Sequence, residues 1–95
     1  MTYEWDLEKA DANLRKHRVS FQEAASIFLD PLALTFCDPD HSDQEDREIT
    51  IAVSVKQRVL FVSHCTRDDR IRLISARRAT AKEAEQYAKG IGKGN

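Results

Sequence analysis

No stretch of the sequence is apolar for long enough to cross a membrane, and the residues after Met1 do not form a signal-peptide pattern. A glycine-rich nucleotide-binding loop is also missing, because Gly90 and Gly92 follow a predicted helix, whereas such a loop precedes one. Zinc and EF-hand spacings are absent, so the histidine and carboxylates of segment 38–46 would hold at most an adventitious cation. We therefore expect a soluble cytoplasmic protein without a resident metal or cofactor.

The sequence has only two cysteines, Cys37 and Cys65. In a chain without a leader, two cysteines are more often buried free thiols than a disulfide. The length of 95 residues allows one domain with one modest core, and no repeat suggests a second domain. We predict a single domain over residues 1–89, followed by a flexible glycine-rich tail at residues 90–95.

The charged residues are unevenly distributed along the chain. Residues 1–55 hold 5 Lys/Arg and 12 Asp/Glu, whereas residues 56–95 hold 10 Lys/Arg and 4 Asp/Glu, although the net charge is only −1. A domain with two such halves can offer its basic side to a nucleic acid or to an acidic protein.

Three helices are predicted from side chains that can cap a helix start. Asp6 is placed to cap the first helix, and Ser20 with Glu23 forms a capping box for the second. The third helix is predicted to begin with another capping box at Thr80 and to run to about Lys89, where glycines follow.

Alternation of apolar and polar residues predicts the strands, and it is clearest from Ile49 to Val55. Further strands are predicted at residues 3–5, 32–37, 58–65 and 70–76. Short turns should join the strands within residues 47–77 into a three-stranded antiparallel meander. We assign the order β-α-α-β-β-β-α, an α+β fold whose antiparallel sheet is covered by helices on one face.

Four arginines lie where the last predicted strand leads into the third helix: Arg70, Arg72, Arg77 and Arg78. Guanidinium groups bind phosphate through paired hydrogen bonds, so this cluster indicates a polyanionic partner. In a regular strand Arg72 and Arg77 point to opposite faces. They would converge only if the strand ended before Arg77, which the turn towards Thr80 favours.

Three sequence blocks carry a resemblance to a known family: WDxxKAxxN at residues 5–13, KHxVSFxEA at 16–24 and RxISARxAT at 72–80. With Asp46-Arg47 between them, they resemble the BrnT family, the ribonuclease toxins of BrnT/BrnA toxin–antitoxin modules, over residues 3–87. The family usually has Glu-Arg at the position of Asp46-Arg47. The shorter carboxylate weakens any role of Asp46 and leaves Arg47 intact.

The resemblance implies a RelE-like fold and an endoribonuclease that arrests growth by cleaving RNA. It also implies a cognate ribbon-helix-helix antitoxin, similar to BrnA, that neutralises the toxin, and a complex that represses its own operon by binding operator DNA. A rival interpretation is a binding module that has lost nuclease activity and only holds the antitoxin for operator repression. Retention of Arg47, Arg72 and Arg77 together favours the nuclease, because binding a protein alone would not require all three.

Metal-independent RNA cleavage requires deprotonation of the 2′-hydroxyl, positive charge around the pentavalent phosphorus and a proton for the departing 5′-oxygen. Arginine suits the second task only, because its pKa is too high for proton transfer. Arg72 and Arg77, with Arg47 as a third candidate, are therefore predicted to stabilise the transition state. The alternative is that any one of them pairs with the acidic loop or packs its stem along the sheet.

Histidine is the side chain best suited to proton transfer near neutral pH, and His17 or His64 is predicted to provide it. His17 could instead cap the first helix or complete its buried stripe, and His64 could be a histidine at the edge of the core. His41 lies in the acidic loop and is expected to face solvent. Four further residues are predicted to bind RNA, although Tyr87 would equally suit the core: Lys16, Arg70, Arg78 and Tyr87.

Overall fold

The computed structural model describes residues 2–40 and 46–93, with the backbone alone for residues 91–93. Within these residues the chain forms five strands, three α-helices and one 3₁₀ turn. The elements are β1 (Thr2–Glu4), α1 (Leu7–His17), α2 (Phe21–Ser26), the 3₁₀ turn (Ile27–Leu29), β2 (Leu34–Cys37), β3 (Arg47–Val53), β4 (Val59–Arg67), β5 (Arg70–Arg78) and α3 (Ala81–Lys93). The predicted solvent-facing His41 lies outside the described residues.

All three predicted helix starts are confirmed by their capping bonds. The carboxylate of Asp6 accepts from the backbone N–H groups of the first turn of α1. Ser20 Oγ accepts from the Glu23 N–H at 3.0 Å. Thr80 and Glu83 cap reciprocally, since each side chain accepts from the other residue's backbone N–H at 3.1 and 2.9 Å.

The third helix is longer than predicted. It continues through Gly90 to Lys93, whereas the glycines were expected to end it near Lys89. Gly90 lies against the sheet, because a Cβ built on it would come within 3.4 Å of Leu34. Packing against a strand therefore compensates for the low helix propensity of glycine here. The domain boundary predicted at residue 89 stays a prediction.

The strand order in the sheet is β1-β5-β4-β3-β2. The predicted meander is confirmed, since β3, β4 and β5 pair antiparallel in sequence. Two details were wrong. The described chain has four strands between α2 and α3 where the assigned order counted three. The sheet is mixed and not purely antiparallel, because β1 pairs parallel to β5. Period-2 alternation identifies a strand but does not specify its partner.

Helices cover both faces of the sheet, whereas one covered face was predicted. Thr50 bonds to His64, whose ring meets that of Phe28 in the 3₁₀ turn. Leu34 pairs with Ile51, the strand neighbour of Thr50, and it contacts α3 at Gly90. Successive strand residues point to opposite faces, so α3 lies on the other side of the sheet from the 3₁₀ turn.

We call the side that carries Thr50, Val62 and Ala76 the covered face. The helices α1 and α2 and the 3₁₀ turn pack on it, while α3 covers one end of the opposite face. The centre of β3 is consequently buried on both sides. Its four consecutive residues Ile49, Thr50, Ile51 and Ala52 are each at most 4% exposed.

Two buried polar clusters hold the helices on the covered face. Asn13 of α1 accepts from the Ala76 N–H at 3.0 Å and donates to the carbonyls of Ala76 and Val19 at 2.8 and 2.9 Å. Its amide thus takes the place of a neighbouring strand beside β5. Asn13 belongs to the first sequence block, and its contacts give it a structural role.

The second cluster centres on Glu23 of α2, which is 3% exposed. Its carboxylate forms an ion pair with the Arg58 guanidinium and accepts a hydrogen bond from Ser54 Oγ at 2.6 Å. These partners satisfy the buried charge, and the hydrogen bonds from Arg58 lower the pKa of Glu23.

The two cysteines are not joined by a disulfide. Cys65 is buried as predicted, but Cys37 is exposed, so the prediction of two buried thiols was wrong for Cys37. No helix within residues 2–40 and 46–93 is long and apolar enough to cross a membrane.

Candidate nucleic-acid interface

A β-bulge in β5 determines where its arginines point. Ser63 of β4 pairs with Ser75, but the next residue, His64, pairs with Leu73. Ile74 is therefore an extra residue on β5 that opposes no residue of β4. Such an insertion shifts the side-chain alternation of the bulged strand by one position.

This shift brings Arg72 and Arg77 to the same face of the sheet. Arg72 pairs with Cys65 and Arg77 pairs with Phe61, and Cys65 and Phe61 are four residues apart on β4. The strand itself runs on to Arg78. The predicted reason for convergence, an early end of the strand, was therefore wrong. The bulge brings the two arginines to one side instead, with their Cα atoms about 13 Å apart along the sheet.

Arg47 joins them on this face. Cys65 pairs with Arg47 on one side and with Arg72 on the other, so these three residues form one row across β3, β4 and β5. The Cα atoms of Arg47 and Arg72 are thus about 10 Å apart, twice the spacing between neighbouring strands. We call the side with Arg47, Arg72 and Arg77 the arginine face.

A groove of about 410 Å³ runs over part of the arginine face. Its floor contains Ser63 and Ser75, which pair with each other between the row of Arg47 and the row of Arg77. The groove is lined by Arg47, Arg77 and the two serines, together with Phe36, Asp38, Pro39, Asp40, Ile49 and Phe61. Sequence reasoning missed the two serines and the two aspartates. The alternation of Phe61, Ser63 and Cys65 was the signal available for Ser63.

The guanidinium of Arg77 is held in a fixed position. Its carbon lies 4.0 Å from the centre of the Phe61 ring, and two of its nitrogens donate to the Glu83 carboxylate at 2.8 and 2.9 Å. These bonds raise the pKa of Arg77 and lower that of Glu83. The side chain is still 36% exposed, and it lines the groove.

Arg72 lies nearer the β4–β5 hairpin and is more open to solvent. It is 53% exposed and forms an ion pair with Glu4 of β1 at 3.3 Å. Arg70 contacts the other oxygen of the same carboxylate at 3.6 Å. A single glutamate from the parallel edge strand therefore faces two arginines.

His64 is not brought together with the arginines. It points into the covered face, where it is 2% exposed and its Nε2 lies 2.7 Å from Thr50 Oγ1. Burial lowers the pKa of His64 to about 4, so its ring is neutral at pH 7. The placement supports the core interpretation of this residue and not the catalytic one. His64 lies on the same side of β4 as Leu60 and Val62, which are buried in the core.

Three more predicted site residues do not line the groove with the arginines. Lys16 and His17 are in the last turn of α1, which packs on the opposite side of the sheet. Tyr87 is buried, and its hydroxyl donates to Asp30 at 2.7 Å. Burial, with the bond to Asp30, raises the pKa of Tyr87 to about 12. This placement supports the core role that the sequence also allowed for Tyr87, and its contact with RNA stays a prediction.

Arg70 and Arg78 are both exposed, but they differ in position. Arg70 pairs with Arg67 at the hairpin and shares the arginine face. Arg78 follows Arg77 directly in β5, so it points to the opposite side. Of the predicted RNA-binding residues, Arg70 alone is placed beside the catalytic candidates.

Comparison with known proteins places the chain in a class of ribonuclease toxins. The family model described as "Ribonuclease toxin, BrnT, of type II toxin-antitoxin system" matches residues 5–83, so the chain belongs to the BrnT family of ribonuclease toxins. This confirms the resemblance carried by the three sequence blocks. None of the curated proteins compared with the sequence matches it.

The structure is similar to the 1.1 Å crystal structure of the Brucella abortus ribonuclease toxin BrnT. The TM-score is 0.66, and the match covers 84% of this chain and 99% of that chain at 20% sequence identity. At this identity the likeness concerns the fold alone. The type II toxin–antitoxin family implies that the chain has an antitoxin partner.

Proposed function

We propose that this ribonuclease toxin is an endonuclease that cleaves RNA at the arginine face without a metal ion. The main support is that Arg47, Arg72 and Arg77 lie on one side of the sheet, where Arg47 and Arg77 line the groove that contains the two serines. Three guanidinium groups supply the positive charge that the phosphorane requires, and they do so from a rigid sheet.

In the proposed reaction the 2′-oxygen of a ribose attacks the neighbouring phosphorus, and the bond to the 5′-oxygen of the next nucleotide breaks. A base accepts the proton of the 2′-hydroxyl, and an acid protonates the leaving oxygen. Arg77 is the best oriented donor, because Phe61 and Glu83 fix its guanidinium. Arg47 and Arg72 flank the same phosphate track from β3 and β5.

The proton carriers predicted from the sequence, His17 and His64, are not supported by their placement on the other side of the sheet. Among the described residues that line the groove, Asp38 and Asp40 carry the carboxylates. Asp40 is exposed, whereas Asp38 is 7% exposed. We therefore assign the acceptance of the 2′-hydroxyl proton to Asp40, and Asp40→Asn is the variant that tests this assignment.

The test of the arginine face is RNA cleavage by purified protein in EDTA. Arg72→Ala and Arg77→Ala should each lower the rate about 10²–10³-fold, as expected for the loss of one donor to a developing oxyanion. Arg15→Ala is the matched control, because Arg15 is an exposed cation on α1, away from this face. Circular dichroism should show that the variants remain folded, since exposed charges contribute little stability.

The proposed chemistry would be overturned if the folded double variant Arg72→Ala, Arg77→Ala cleaved RNA in EDTA at the wild-type rate. Absence of cleavage by the wild type, with retained binding of the antitoxin, would favour the rival binding module. The ion pairs of Arg77 with Glu83 and of Arg72 with Glu4 are the observations that favour this rival, because they give these arginines partners within the fold.

We further propose that the antitoxin is a ribbon-helix-helix protein, that it covers the arginine face, and that the complex binds operator DNA through the antitoxin. The support is electrostatic, since a face with three arginines is unfavourable to leave open in a silenced nuclease. Cross-linking should place the antitoxin against Arg47 and Arg72, and salt should weaken the complex. Cross-links confined to α1 and α2 would reject this location.

A further inference from the structure

The end of the arginine face at the β4–β5 hairpin contains a second basic site that the groove does not include. A depression of about 460 Å³ lies there, lined by Glu4, Cys65, Arg67, Asp68, Arg70 and Arg72. Arg67 pairs with Arg70, and Arg72 pairs with Cys65, so the three arginines project from the same side of two adjacent strands. We call Arg67 and Arg70 the hairpin site; the catalytic candidate Arg72 lies between this site and the groove.

We infer that the hairpin site binds a backbone phosphate of the RNA strand several nucleotides away from the cleaved bond. This inference rests on the proposed function, because it assumes that the cleaved phosphate lies in the groove beside Arg77. It extends that function by making the substrate a single strand of some length, laid along β4 and β5. It also gives a role to Arg67 and Arg70, which the proposed chemistry leaves without one.

The distance between the two sites supports this arrangement. Phe61, beside Arg77, and Arg67 are six residues apart on β4, so the hairpin end lies about 20 Å from the Arg77 row. A dinucleotide has only one phosphate between its two sugars, so it cannot place one phosphate in the groove and another at the hairpin site. The bulge at Ile74 is what keeps both sites on one face and leaves a continuous path between them.

The charges around the hairpin site favour phosphate over a neutral ligand. Three guanidinium groups face two carboxylates, Glu4 and Asp68, which leaves one net positive charge. Glu4 contacts Arg70 and Arg72 at 3.6 and 3.3 Å, so it holds both heads next to each other before RNA arrives. The non-bridging oxygens of a phosphate accept hydrogen bonds as the Glu4 carboxylate does, so a phosphate would compete with Glu4 for Arg70.

The experiment measures binding of 2′-O-methyl RNA, which lacks the attacking hydroxyl and cannot be cleaved. Mixed-sequence strands of four and twelve nucleotides are titrated by fluorescence anisotropy at several salt concentrations. The proteins are the wild type, the Arg67→Gln, Arg70→Gln double variant, Glu4→Gln, and Arg15→Gln as a control that removes one charge from α1. None of the substituted side chains is buried, so all variants are expected to fold.

We expect the double variant to bind the twelve-nucleotide strand at least about tenfold more weakly than the control and the four-nucleotide strand equally well. Its salt dependence should be shallower by about 0.7 for each lost phosphate contact, the value for single strands. Glu4→Gln should bind the longer strand more tightly than the wild type, because the competing carboxylate is gone.

The hairpin site would be overturned if the double variant lost equal affinity for both strand lengths, or if its affinity for the longer strand stayed within twofold of that of the control. Absence of RNA binding by the wild type would also overturn it. The failure of the proposed function is a separate result. If the wild type does not cleave unmodified RNA but the length-dependent loss appears, the hairpin site stands and the nuclease assignment fails. If the wild type cleaves RNA but the double variant binds it as the control does, the nuclease assignment stands and the hairpin site fails.

Discussion

The covered face and the arginine face belong to the same sheet, but their polar side chains differ in burial and in how they are bonded. On the covered face, Asn13 and Glu23 are buried and make several short hydrogen bonds. On the arginine face, Arg72 is about half exposed and meets its carboxylate partner only at the surface. The first arrangement fixes helices to strands, whereas the second leaves cations available to a ligand. Substitutions on the two faces should therefore change different properties of the protein.

The largest expected effect on stability is that of Arg58→Ala. The substitution leaves the buried Glu23 carboxylate without its cationic partner, which typically costs about 3–5 kcal/mol of unfolding free energy. Urea unfolding followed by circular dichroism measures this loss, and Arg15→Ala should change stability by less than about 0.5 kcal/mol. Cleavage per folded molecule should stay at the wild-type value. A loss below about 1 kcal/mol would contradict the structural role assigned to this ion pair.

A second expectation concerns pH and His64. Its folded-state pKa of about 4 lies below the ordinary value of 6.5, so the unfolded chain binds the proton more readily than the folded protein. Stability from this group is therefore fully present above about pH 6.5, falls as the pH drops, and levels off below about pH 4. The total loss is up to about 3 kcal/mol, given 1.36 kcal/mol for each pKa unit.

His64→Leu should remove this component, because the apolar side chain cannot be protonated. Thr50 would keep its 2.7 Å bond to Thr35. Thermal or urea unfolding of both proteins at a series of pH values between 4 and 7 gives the comparison. Parallel loss of stability in the wild type and the variant would contradict the assignment. The pH profile of RNA cleavage should be the same in both, since His64 lies on the covered face.

The smallest effect is expected for Glu83→Gln. The glutamine oxygen can keep the capping bond of α3 and one of the two bonds from Arg77, but the amide NH2 cannot accept the second bond and the negative charge is lost, so stability should fall by no more than about 1 kcal/mol. RNA should bind about two- to fivefold more tightly, in line with the 0.5–1 kcal/mol of a partly exposed ion pair. Anisotropy titrations test this. Weaker binding than the wild type would show that Glu83 serves to orient Arg77 more than to neutralise it.

Much of the fold was readable from local signals. The capping bonds of Asp6, Ser20 and Thr80 appear where the sequence predicts them, and the meander from β3 to β5 follows the alternation of its residues. These features depend on residues that are close in sequence. The parallel pairing of β1 with β5 and the position of α3 depend on contacts between distant segments, which alternation alone does not encode.

The candidate site was predicted less completely. The arginines were identified by their chemistry, but their common face depends on the bulge at Ile74, and regular alternation would have separated Arg72 from Arg77. His64 was assigned to catalysis because of its side-chain pKa in water, and burial changed that property. The serines and aspartates of the groove are common residue types, and they became candidates only when pairing of the strands brought them beside the arginines.

The bulge has a consequence for how the gene can vary. Deleting the codon for Ile74 would join Leu73 to Ser75, which already pair with the adjacent residues His64 and Ser63 of β4. Residues 70–73 would keep these partners in a regular strand, so Arg72 would stay on the side of Arg77 and Leu73 would stay on the covered face. A gene that encodes one residue fewer between the two arginines would therefore present the same arginine face without a bulge, whereas the present spacing requires the bulge.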